Sequence, residues 1–136
     1  MPPRPHPFQQ LVRDVERQLR GRARLAEWLL VAGRDGLPRE VDTVFETAPP
    51  PDAGRPVRVA LEYQDAARPA GVDWVEHLRE KYRDLAVDRV VAVARRGFTP
   101  AARERAAAYG LRALTLAEAR AADWAWAVAL PAGAPD

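Results

Sequence analysis

Residues Val57 to Leu85, VRVALEYQDAARPAGVDWVEHLREKYRDL, decide how the chain reads. The opening eight alternate as a strand does. Val57, Val59, Leu61 and Tyr63 fall on one face, and Arg58, Ala60, Glu62 and Gln64 on the other. A Pro/Gly-containing loop, Asp65 to Val72, follows. A helix is expected from Asp73 to Leu85, with Asp73 and Glu76 spaced as a capping box. Its apolar stripe is Trp74, Leu78 and Leu85, and Lys81 lies on that stripe. Lys81 is the only lysine in the chain, every other basic side chain being arginine. A composition this rich in Arg, Ala and Pro replaces lysine wherever the two cations are exchangeable, so a retained lysine marks a need for a compact, titratable ammonium. The plainer reading is a stem that covers core while its head reaches water.

Upstream, Met1 to Pro7 alternates proline with Arg4 and His6 and reads as a flexible tail, His6 being an ordinary tail residue. Phe8, Leu11, Val12, Val15 and Leu19 keep helical spacing, predicting a helix over Phe8 to Arg20 that Gly21 stops. Glu16 borders its buried stripe. Arg24 to Ala32 and Arg39 to Thr47 read as the two arms of a hairpin turned at Gly33 to Gly36. On the return arm Asp42 shares a face with Val44, an acid where apolar groups also point. Such a half-buried carboxylate needs a partner or a metal.

Downstream, the apolar run within Val87 to Ala94 reads as a strand covered on both faces. Thr99 as N-cap and Pro100 behind it open a helix that Gly110 closes. Leu111 to Thr115 is a last strand. Thr115 and Glu118 form a capping box for a terminal helix carrying Trp124 and Trp126, and residues 129–136 fray. The expected fold is α/β: a central mixed sheet of a three-strand meander plus two further strands, flanked by helices. Residues 8–128 form the single domain.

At 136 residues with a net charge of +2, the chain has a sizeable core and no strong electrostatic commitment. There is no cysteine and no serine, so thiolate metal sites, thiol nucleophiles and serine-hydrolase chemistry are excluded. His6 and His77 alone cannot build a three-histidine zinc site. No Gly-rich phosphate loop is present. No apolar run approaches the roughly 20 residues that span a bilayer. Nor does the N-terminus carry a secretory pattern, which places the expected protein in the cytoplasm without a membrane partner. Carboxylates, one lysine and arginines remain, an inventory suited to a hard, oxygen-liganded cation such as magnesium.

Asp42 and Glu62 on adjacent strands, Gln64 two residues on and Lys81 on the next helix make one constellation. With it the chain resembles the PD-(D/E)xK nuclease superfamily, and within that the Mrr-like restriction endonucleases. Asp42 in REVDTVF matches the first acid and Glu62 in VALEYQ the second. Gln64 stands where the lysine usually does, and WVEHLREK, Trp74 to Lys81, looks like the variant that carries it on the following helix. DRVVAVARRGFTPAARERAAAYGLRAL, Asp88 to Leu114, resembles the strand, Gly-Phe-Thr turn and helix that come next.

The resemblance covers roughly Phe8 to Glu118. It implies a restriction-endonuclease-like core and a magnesium-dependent endonuclease, with manganese as a substitute, that cleaves DNA in restriction, defence or DNA processing. Asp42 and Glu62 would hold the metal, with Glu16 as an additional ligand from the first helix. Lys81 and Gln64 would assist the chemistry, and Arg68, Arg95, Arg96 and His77 would contact the DNA. A homodimer or a larger defence protein would be the protein partner. The alternative is a catalytically silent module on the same fold that grips DNA or a partner protein.

Overall fold

A computed structural model of the chain describes residues 6–26, 29–32, 38–41, 43–47 and 56–128. Helix α1 (Pro7–Gln18) leads into strands β1 (Ala23–Leu25), β2 (Leu29–Ala32), β3 (Pro38–Val41), β4 (Val44–Thr47) and β5 (Arg58–Gln64). Helix α2 (Val72–Tyr82), β6 (Arg89–Ala94), α3 (Pro100–Ala108) and β7 (Arg112–Thr115) follow, and then α4 (Leu116–Ala121) and α5 (Ala125–Val128). The main sheet has five strands in the order β1-β4-β5-β6-β7. β1, β4 and β5 pair antiparallel, whereas β5, β6 and β7 pair parallel. This is the expected meander with crossover helices, and α2 and α3 supply the crossovers.

The expected hairpin is interrupted. Its arms split into the β1–β4 pair of the main sheet and a separate two-stranded ribbon, β2–β3. Register is kept across the break: Leu25 faces Phe45, and four residues along each arm Leu29 faces Val41. The two pairings thus belong to two sheets but keep one register. A slip by one residue would exchange the faces of every side chain on β4.

Two apolar layers sandwich the sheet. On one side Leu11 and Val15 of α1 and its C-cap Leu19 pack with Phe45, Val59, Leu61, Val91 and Val93, together with Ala119 and Trp124. On the other, Val75, Leu78 and Tyr82 of α2 and Ala102 and Ala106 of α3 pack on Val44, Ala60, Val90, Ala92 and Ala94. The alternation read along β5 therefore holds. Val59 and Leu61 face α1, and Ala60 faces α2.

Local signals explain most helix ends. Thr99 accepts a hydrogen bond from the Ala102 N–H at 3.1 Å, with Pro100 at the first helical position. Gly110, at φ +74°, follows α3 in the left-handed conformation that glycine takes without strain. The Thr115–Glu118 capping box forms in both directions, at 2.9 and 3.0 Å. His6 belongs to the first helix rather than to a tail: its Nδ1 accepts the Phe8 N–H and caps α1.

Three expectations need correction. α2 begins one residue earlier than read, at Val72 with Gly71 as N-cap, and has no side-chain cap. Glu76 is not a capping residue. Its carboxylate accepts from the Tyr109 hydroxyl at 2.6 Å and pairs with Arg105, tying α2 to α3. The buried stripe of α2 is Val75, Leu78 and Tyr82, with Trp74 and Leu85 only partly buried at its margins.

The terminal helix is broken as well. Ala122 is extended, at ψ 148°, and Trp124 sits between α4 and α5. Trp124 is held by one long-range bond and one local one: its backbone N–H donates to the Gln18 side chain and its indole N–H to the Ala119 carbonyl. Among the described residues no helix is long and apolar enough to cross a membrane.

Candidate functional site

The parallel pairing of β5 with β6 places Glu62 opposite Ala92 and Gln64 opposite Ala94. Both acid and amide stand on the face that α2 covers. The methyl-sized neighbours leave room above the strand for a carboxylate to meet a group descending from α2. Lys81 is that group. Its Nζ lies 2.9 Å from Glu62 Oε2, with the two side chains 30% and 17% exposed. The ammonium is neither out in solvent nor sealed in the core, and its charge is directed onto one carboxylate.

A third residue completes the cluster, and sequence reasoning did not find it. The Tyr82 hydroxyl donates to the same Glu62 Oε2 at 2.5 Å. Tyr82 follows Leu78 by four positions, so on the helix it reads as core, and its ring is indeed buried. Its oxygen reaches Glu62 from the end of that ring. Lys81 Nζ lies 5.3 Å from the Tyr82 ring centre, so the ring also faces the ammonium. Two donors on a single oxygen fix the rotamer of Glu62.

The expected partner acid, Asp42, lies outside the described residues. Its sequence neighbour Thr43 accepts the Leu61 N–H at 3.0 Å, one residue from Glu62 on β5. Gln64 is half-buried on the Glu62 face. Glu16 is exposed on α1, which packs on the opposite side of the sheet, so the fold does not bring it to Glu62. Among the described residues no three metal-ligating side chains come together. Of the expected metal-binding acids, Glu62 alone of those described stands at this site with the hard oxygen donor that magnesium prefers.

The four expected DNA-contact residues separate. Arg95 and Arg96 follow the C-terminal end of β6, and Arg68 lies in the loop after β5. Those two loops are joined by a bridge between Ala70 and Phe98, so all three arginines share one end of the sheet. Arg95 there pairs with Asp65 at 3.2 Å, and Arg68 and Arg96 are exposed. His77 is exposed on α2. Across β1, β4 and β5, Glu46 bridges Arg24 and Arg58 at 3.0 and 2.9 Å. Burial works against its ionised form, but the bonds and charges of the two arginines prevail and hold its carboxyl below the ordinary value.

The chain matches no protein-family model and no curated protein. Among solved structures it is similar to the protein of unknown function AF1548, at 17% identity and a TM-score of 0.56 over 80% of this chain. It is also similar, at 17% identity and a TM-score of 0.47 over 87% of this chain, to the DNA modification-dependent restriction endonuclease AspBHI. The chain spans 57% of the first and 35% of the second. The first likeness establishes a shared fold.

Proposed function

We propose that this chain is a metal-dependent endonuclease domain that hydrolyses DNA phosphodiester bonds, of the restriction, defence or DNA-processing type. The observation that carries this reading is the 2.9 Å contact between Glu62 and Lys81. The one lysine of an arginine-rich chain is directed onto the acid that the PD-(D/E)xK resemblance singles out. Glu62 and Asp42 would hold magnesium or manganese. The bound ion would polarise a phosphoryl oxygen and make a water more acidic.

The chain's own residues do the rest. Lys81 places an ammonium beside the acid, where negative charge gathers as the phosphorus takes a fifth oxygen. Tyr82 is a positioning residue that holds Glu62 in one rotamer. Gln64, on the same face two residues along, orients the attacking water without adding charge. Arg68, Arg95 and Arg96, with His77 on α2, would grip the DNA backbone and read no sequence. A second copy of the chain, or a larger defence protein, would supply target choice and the second strand's cut.

The test is nicking of supercoiled plasmid in magnesium or manganese by the native chain, Glu62→Gln and Lys81→Ala. The native chain alone should cut. Cutting by all three would remove Glu62 and Lys81 from the chemistry. A second reading, a silent DNA- or protein-binding module, is favoured by one observation: Gln64 stands at the position that the resemblance gives to lysine. It predicts DNA binding without metal-dependent cleavage, and indifference to Asp42→Ala.

A further inference from the structure

We infer a second nucleic-acid grip, remote from Arg68, Arg95 and Arg96: an arginine-lined groove across the N-terminal ends of β6 and β7 that takes a phosphodiester backbone. Arg89 opens β6 and Arg112 opens β7, so the groove lies at the opposite end of these strands from Arg95 and Arg96. The six residues of β6 separate the two ends by about 20 Å at the usual rise per residue.

The groove is formed by two adjoining cavities of about 540 and 250 Å³ that share Arg89, Val90, Gly110 and Leu111. Arg103 and Arg112 line the first, Arg79 and Arg83 the second. Five arginines line the two cavities, where Asp88 is the one lining acid and its Oδ2 accepts the Arg58 backbone N–H; Glu76, Glu80 and Glu118 stand at the margin beside Arg79, Arg83 and Arg103. In a chain with a net charge of only +2, such a concentration is a local feature rather than a consequence of the average.

Several of the arginines are held in place rather than spent on ion pairs. The Arg79 guanidinium lies 4.0 Å from the Tyr109 ring centre, and that of Arg112 lies 4.8 Å from the Trp126 ring centre. Arg89 donates to the Ala127 carbonyl at 2.8 Å. Among the described residues no carboxylate lies within ion-pair distance of these three, although the charge of Arg79 reaches Glu76 and favours its ionised form. Arg83 and Arg103 share charge with Glu80 and Glu118 in exposed pairs, at 3.3 and 3.6 Å. A guanidinium fixed by stacking keeps its N–H fork free for phosphate and loses less rotamer freedom when it binds. Free nucleoside polyphosphate offers the same oxygens, but the groove's length, running from the end of α2 to the edge strand, favours a polymer.

The experiment measures binding of a fluorescein-labelled 20-base-pair duplex to the full chain in EDTA, so it stands whether or not the chain cuts DNA. Arg79→Gln with Arg112→Gln should weaken binding about tenfold, and the slope of log K against log salt should fall by about 0.9 for each phosphate that is no longer neutralised. Replacing both with lysine should restore the slope, which a purely structural role for the arginines would not allow. Unchanged affinity and slope in the glutamine pair would overturn the inference, the more so if Arg95→Gln with Arg96→Gln abolished binding. Displacement of the duplex by millimolar nucleoside triphosphate from the native chain, with duplex binding by the glutamine pair normal, would also overturn it.

Discussion

The two faces of the sheet are built from different materials. The α1 face is filled with bulk: Phe45, Leu61, Val91 and Val93 meet Leu11, Leu19 and Trp124. The α2 face is floored with alanine, Ala60, Ala92 and Ala94 lying under Val75, Leu78, Ala102 and Ala106. Small residues let α2 and α3 lie close, and close helices bring polar tips to the sheet. The Glu62–Lys81–Tyr82 cluster and the Glu76–Arg105–Tyr109 strap both belong to this side. The α1 face holds one polar atom in an awkward place, the buried Tyr63 hydroxyl, which has no hydrogen-bond partner among the described residues. One face is filled with bulk, and the other gives up bulk and carries the polar clusters.

The contrast can be broken by substitution, beginning with the largest effect. Phe45→Ala on the α1 face should cost about 3–5 kcal/mol in urea unfolding, since the side chain is fully buried in bulky neighbours. A smaller loss would mean that this face is more loosely packed than described. Ala92→Leu on the α2 face should cost about 1–3 kcal/mol by overpacking, and should displace α2 from Glu62. Activity should then fall further than the stability change explains.

Lys81→Met should destabilise by no more than about 1–3 kcal/mol, since it takes a charged hydrogen-bond partner from Glu62 but leaves Tyr82 in place. Nicking activity should nevertheless disappear, which separates the residue's chemical role from its structural one. Smallest of all, Tyr63→Phe should leave stability unchanged or raise it by up to about 1 kcal/mol, as it removes an unpaired buried hydroxyl. A clear loss in urea unfolding would show that the hydroxyl has a partner after all.

Acid sharpens the comparison from another direction. The carboxyls of Glu46 and Glu76 are both held below their ordinary values. For Glu46, burial opposes the shift, and Arg58 and Arg24 outweigh it. For Glu76 the Tyr109 hydrogen bond leads and Arg105 adds to it. A depressed folded pKa contributes stability that is fully present above the unfolded value of about 4.3 and is lost as pH falls through the folded one. The midpoint of urea unfolding should therefore decline below that range, and Glu46→Gln should flatten the decline. An unaltered pH profile in that variant would remove Glu46 from the account.

Much of this was legible in local pattern. Strict alternation in Val57 to Gln64 separated Leu61 from Glu62, and β5 keeps that division. Thr99-Pro100 and Thr115 with Glu118 announced helix starts, because a cap is written within four residues. The misreadings share a cause, which is competition from distant partners. Glu76 had the spacing of a capping residue, but Tyr109 and Arg105 on another helix captured it. The helix through Trp124 was broken by Gln18, far away in sequence.

Lys81 was conspicuous by composition, whereas Tyr82 was hidden by the apolar stripe that buries its ring. The division of the hairpin arms into β1–β4 and β2–β3 carries no turn signal in the sequence, and the two pairings keep one register. Asp42, the other half of the expected acid pair, lies outside the described residues and rests on the sequence reading.

The central claim is that Lys81 is a lysine for chemical reasons in a chain that otherwise uses arginine. Lys81→Arg tests it most directly, in plasmid nicking with magnesium alongside urea unfolding of the same preparation. The variant should be folded as stably as the native chain, within about 1 kcal/mol, and should no longer nick DNA, because a planar guanidinium cannot replace a compact ammonium at Glu62. Nicking at the native rate would contradict it, leaving Lys81 as an ion-pair partner that any cation could replace.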